Sequence, residues 1–172
     1  MSNPTASLHS KEVPVKLWKT IILSLLIVLT SCTESKQVDG PEIQSIDYIN
    51  KENLGNNLST LAKKVSRATE TYRIIESKLG TSEANRVVDS ELEKTIGKYQ
   101  GEWNKNLAQS FSEVLSLEEI NSLYYNGKNS PYFKKRMSLQ RVIGSSMQRK
   151  SRALLEKVVS EAMQSAFKNV SA

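Results

Sequence analysis

Two arrangements of side chains in this sequence have the residue types for nucleophilic or acid–base chemistry. In Ser165-Ala166-Phe167-Lys168 one helical turn would bring a hydroxyl and an amine together as nucleophile and base. That pair works only if Lys168 is desolvated enough to lose its proton near neutrality, and Lys168 lies close to the C-terminal end of the chain. Glu91, Glu93, Glu118 and Glu119 offer carboxylates for a general acid and base. Glu118 and Glu119, however, follow Ser116 in the pattern of a helix capping box, and Glu91 and Glu93 read as a solvated helix face. One Cys, Cys32, and one His, His9, are too few for an internal disulfide or a cysteine–histidine zinc site, and no glycine-rich phosphate loop is present. The expectation is a protein without cofactor or metal that binds rather than catalyses, with the Ser165/Lys168 hydrolase as the alternative.

The charge distribution carries more information. From Lys128 to Lys157 nine basic residues face one acid, a local charge of +8, whereas residues 42–127 hold ten basic and thirteen acidic residues for −3, within a chain of +6 overall. Lys134, Lys135, Arg136, Arg141, Arg149, Lys150 and Arg152 form the proposed surface for an anionic partner. The competing explanation is a basic helix that packs beside acidic ones, its surplus solvated.

Helices must position these groups. Past Pro41 there is no proline until Pro131, and apolar residues recur at spacings of three and four, which predicts an all-α fold: a small bundle of four to five helices over residues 42–172. Leu54, Leu58, Leu61, Val65, Ala68, Tyr72, Ile75 and Leu79 read as one continuous heptad helix, closed by Gly80 and followed by Thr81 or Ser82 as the next N-cap. That helix would sit inside the bundle or, on a third reading of function, pair with another chain as an assembly accessory. The second helix carries Ala84, Val88, Leu92, Ile96 and Tyr99, with a kink expected near Gly97 and Gly101. Trp103, Leu107, Phe111, Val114 and Leu115 continue the pattern, and a short helix from Leu117 should stop at Asn126-Gly127. Ser130-Pro131 should start a last helix running to Asn169, bent at Gly144-Ser145-Ser146.

The N-terminus reads as an address. Residues 1–19 carry Lys11, Lys16 and Lys19 against Glu12, and an uninterrupted apolar run follows from Ile21 to Leu29. Nine residues fall short of the about 20 that cross a bilayer as a helix. The run ends in Leu29-Thr30-Ser31-Cys32, which resembles the lipobox of bacterial lipoprotein precursors. The resemblance implies cleavage between Ser31 and Cys32, a diacylglyceryl thioether on Cys32 and an acylated new terminus. Two or more acyl chains anchor a protein firmly, at about 0.8 kcal/mol per buried methylene. An ordinary secretory peptide or a short core helix is the alternative reading. The mature chain would be residues 32–172, with residues 32–41 as a flexible tether, no histidine, and its one cysteine blocked. Thr33 stands where enterobacterial inner-membrane lipoproteins carry an aspartate, so the resemblance favours the outer membrane, facing the periplasm, in an organism that has one. In that compartment the basic surface would meet lipid head groups, peptidoglycan carboxylates or an acidic protein, and no nucleic acid is expected.

Residues 103–147 also resemble an uncharacterised family of small exported helical proteobacterial proteins. The likeness rests on Glu118-Glu119-Ile120, the aromatic pair Tyr124-Tyr125 and Ser130-Pro131. It brings no activity and no catalytic residue.

Overall fold

A computed structural model of the chain describes the backbone of residues 40–171 and side chains from Gln44 onward. The expected signal peptide with His9 and Ser31, Cys32, and residues 32–39 of the expected tether lie outside the described residues. The fold is all-α. Among the described residues seven α-helices follow in order: α1 (Gly40–Lys51), α2 (Asn57–Arg67), α3 (Glu70–Leu79), α4 (Thr81–Ser112), α5 (Leu117–Asn126), α6 (Phe133–Ser138) and α7 (Gln140–Ser171), with one 3-10 turn at Gly127–Asn129.

The count exceeds the expected four to five for identifiable reasons. Gly40-Pro41 opens a helix rather than ending a tether: an amide missing from the first turn has no intrahelical partner to lose. The single heptad helix is two. Thr69 leaves the helical region and its hydroxyl accepts the Tyr72 amide at 3.2 Å, capping α3 while α2 stops at Arg67. The break also shifts the buried stripe, so that Ala62 and Ser66 are buried while Val65 and Leu79 stay partly exposed, at 38% and 37%. Gly80 adopts φ +78°, a conformation that side-chain-bearing residues rarely take, and ends α3 and begins α4 with no cap from Thr81 or Ser82.

Two 32-residue helices, α4 and α7, form the spine. They run antiparallel. Ala84, Val88 and Leu92 near the start of α4 pack with Val158, Ala162 and Ala166 near the end of α7. Trp103, Leu107 and Phe111 near the end of α4 pack with Ile143, Met147 and Leu154 near the start of α7. The shorter helices close the two ends. Tyr48 and Ile49 of α1 and Ile120 and Leu123 of α5 join the second cluster, while Tyr72 and Ile75 of α3 join the first. Ile96, Tyr99 and Leu155 touch both. Polar clamps fix α2 on α4: Arg67 reaches Asp89 at 2.9 Å and Asn85 at 2.9 Å, and Lys63 reaches Asp89 at 3.2 Å.

Neither expected weak point interrupts its helix. α4 passes through Gly97 and Gly101, and α7 through Gly144-Ser145-Ser146, because packing on both sides outweighs the low propensity of glycine. Gly97 and Gly101 are exposed, and a methyl group on either would meet nothing within 4 Å. Changing both to Ala is therefore expected to raise stability by about 1–2 kcal/mol, read as a higher urea midpoint at unchanged slope. Gly55 is the opposite case. It is buried, and a Cβ there would come within 1.9 Å of Asn104 Oδ1. That oxygen accepts from Gln100, which also donates to the Gly55 carbonyl at 3.0 Å.

The last helix does not start at Ser130-Pro131. The Ser130 hydroxyl accepts the Tyr132 amide at 3.2 Å and bonds Ser122 at 2.8 Å, which shapes a turn before the short α6, and a junction at Leu139 separates α6 from α7. The capping box at α5 is present as expected. Ser116 accepts the Glu119 amide at 3.3 Å, and the Glu119 carboxylate accepts the Ser116 amide at 2.9 Å.

Candidate functional site

The seven basic residues singled out from the sequence all fall on α6 and the first half of α7, but their surroundings divide them. Lys135 pairs with Glu119 at 2.7 Å, Lys150 with Glu113 at 2.8 Å, and Arg152 with Glu156 at 3.0 Å. The first two pairs tie α6 to α5 and α7 to the end of α4, so packing beside acidic residues explains those lysines. The Arg152 pair is largely exposed and contributes little. Lys134, Arg141 and Arg149 are exposed and make no ion pair among the described residues. They form the part of the basic surface without direct ion pairs, with Glu113 acting on Arg149 at longer range.

Arg136 differs from all of these. It is half-buried, its Nε is shielded from solvent without a hydrogen-bond partner, and its guanidinium lies 5.9 Å from the centre of the Phe111 ring. One Nη donates to the thioether of Met137 at 3.0 Å, a weak acceptor for a full positive charge.

Arg136 stands at the edge of a cleft of about 620 Å³ between α2, α4, α6 and α7. Its walls are apolar: Leu61 from α2, Trp103, Leu107 and Phe111 from α4, Ile143 and Met147 from α7. The Trp103 indole donates to Asn57 Oδ1 at 3.0 Å, which fixes the ring as one wall. Around the rim sit Arg136, Arg152, Gln140 and Gln148. The volume is in the range of small-molecule sites, about 300–1,000 Å³. Sequence reading did not find this cleft. Its lining is drawn from four helices whose apolar residues also read as ordinary core, and the one local signal was a basic residue beside an aromatic-rich turn.

α7 places Ser165 and Lys168 one turn apart, with no hydrogen bond between them among the described residues. Lys168 is exposed in the last turn of α7 and Ser165 is half-buried, so the amine lacks the desolvation that a lysine base requires. Glu91 is nearly buried and bonds Lys94 at 2.6 Å and Asn169 at 3.2 Å, a structural tie between α4 and the end of α7. Glu93 is exposed, and Glu118 accepts from the Tyr132 hydroxyl at 3.1 Å. Among the described residues no group of His, Cys, Asp and Glu is placed to hold a metal ion. No helix among them is long and apolar enough to cross a membrane.

Three carboxylates are perturbed: Glu83, held down by its hydrogen bond from Arg86, and two that join helices. Lys135, and then the Ser116 amide, hold the Glu119 carboxyl below its ordinary value of 4.5. Lys150 and the Ser146 hydroxyl do the same for Glu113. A depressed carboxyl stabilises the fold above its ordinary value and loses that contribution as pH falls through the lower, folded value. Thermal stability is therefore expected to drop as pH falls below about 4.5, and Glu119→Gln should flatten part of that drop while lowering stability near neutrality by about 1 kcal/mol. A Glu119→Gln profile parallel to wild type across the acid range would show that Glu119 does not contribute.

Comparison with protein-family models, with curated proteins and with solved structures found no match to this chain.

Proposed function

We propose that the protein is a lipid-anchored interaction module of the bacterial envelope, attached through an acylated Cys32 and presenting an anion-seeking face built from α6 and the first half of α7. The observation that carries the reading is the set Lys134, Arg141 and Arg149, three exposed cations that make no direct ion pair, Arg149 feeling Glu113 only at longer range, while their neighbours Lys135 and Lys150 are paired. The apolar run ending in Leu29-Thr30-Ser31-Cys32 supplies the address. A cation near an anionic membrane surface gains about 1 kcal/mol at physiological ionic strength, so three together amount to about 3 kcal/mol, and salt weakens the attraction.

The test is cosedimentation of the Cys32→Ala chain with phosphatidylglycerol vesicles. Lys134→Gln/Arg141→Gln/Arg149→Gln is expected to reduce binding at least tenfold at low salt, with wild-type binding falling steeply as salt is raised. Binding that ignores both the triple substitution and salt would remove the surface from the function. Lipid labelling in cells tests the anchor separately: label should disappear in Cys32→Ala, and label retained there would overturn the lipobox reading.

A further inference from the structure

We propose that the cleft between α2, α4, α6 and α7 binds a single-chain amphiphile with an anionic head, a free long-chain carboxylate or alkyl phosphate, with the chain against Trp103 and Met147 and the head at Arg136. This goes beyond the surface reading and does not depend on it.

Three features converge. The interior is apolar and concave, which favours an alkyl chain over a polar ligand. Its rim is cationic, with two arginines and two glutamines and no acidic residue, which favours a head group that carries negative charge and accepts hydrogen bonds. Arg136 supplies the independent observation. Arg136 lines the cleft without a carboxylate partner, and with one Nη on the Met137 thioether its outer nitrogens keep unmet donor capacity there. Burying a donor unpaired is costly, and an anionic head would satisfy it. Arg152 lines the cleft farther along α7, beyond the reach of a head group held at Arg136, and is paired with Glu156. A neutral lipid would fill the apolar part and leave Arg136 unsatisfied. A two-chain phospholipid within a bilayer is the business of the exposed basic face, not of this slot.

Gly144 makes the proposal testable without harming the fold. It lines the cleft within α7, and a Cβ there would meet nothing within 4 Å, so a larger side chain enters open cleft space and favours the helix. The full chain is titrated by calorimetry with decanoate, with decyl phosphate and with 1-decanol. The expected result is saturable binding of one or both anions, at least tenfold weaker binding of decanol, loss of anion binding in Gly144→Leu, and about tenfold weakening in Arg136→Gln. Arg152→Gln should leave it unchanged. Whichever anion binds more tightly identifies the head group. Vesicle association of Gly144→Leu should equal wild type, which separates this site from the basic face. The proposal is overturned if neither anion binds, if decanol binds as tightly as the anions, or if Gly144→Leu with an unchanged melting temperature binds like wild type. The last result would place the amphiphile outside the cleft.

Discussion

Trp103→Ala is expected to cost about 3–5 kcal/mol of folding stability, a large share of the 5–15 kcal/mol typical of a domain. Trp103 is 3% exposed and packs in the cluster formed by α1, α4, α5 and the start of α7. Removing the indole empties a large volume beside a cleft that already exists, and the long helices on either side are held by the rest of their length, so the void cannot close. The lost hydrogen bond adds little, because Asn57 is exposed and its carbonyl can turn to water. Trp103→Phe should recover most of the loss. Urea unfolding followed by far-ultraviolet circular dichroism measures both, and a Trp103→Ala midpoint within error of wild type would contradict the assigned packing.

Leu92→Ala probes the other end and should cost about 2–5 kcal/mol. Leu92 is fully buried among Val88 of its own helix, Tyr72 and Ile75 of α3 and Val158, Ala162 and Met163 of α7. Alanines at 84, 162 and 166 bring backbones close, which leaves few flexible side chains able to move into the hole, so the upper half of the range is expected. Leu92 and Trp103 lie on one helix about 16 Å apart, beyond the distance at which substitutions usually couple, so their costs should add within about 0.5 kcal/mol. Because Ile96, Tyr99 and Leu155 belong to both clusters, each variant should still unfold in one transition. A second transition in either variant would mean that the two clusters are separate folding units.

The helical class and most of the inward faces were legible in the sequence, since three- and four-residue spacing needs no tertiary information. Val88, Leu92, Trp103, Leu107 and Phe111 were read as core from spacing and are buried. The capping box at Ser116 and Glu119 was legible because it is a bond between residues three apart. The break at Thr69 was not, for a physical reason: the heptad spacing runs across it unbroken, and only a capping hydroxyl within the run marks where the chain turns. The break expected as one outcome near Gly97 and Gly101 does not occur, and α4 is continuous there. Glycine lowers propensity locally, but the helix is held by packing along its length, and the sequence carries that compensation only in residues some 60 positions away. For the basic stretch, composition identified the charge and could not separate Lys135 and Lys150, which bridge helices, from Lys134, Arg141 and Arg149, which do not. The cleft was the least legible feature, since its walls use the same residue types as the core.

The antiparallel pairing of α4 with α7 also sets when this chain can fold. Ile143 to Leu154 complete one cluster and Val158 to Ala166 the other, so neither core can close until the last helix has been made. The contacts that matter join segments far apart in sequence, and loop closure must precede their gain, which slows folding relative to a bundle of local hairpins. At ribosomal rates of about 5–20 residues per second, a nascent chain lacking residues 140–171 remains without a finished core for seconds. For a protein exported as we propose, that interval leaves the polypeptide in a state that can be threaded across a membrane, and places folding after translocation rather than before it.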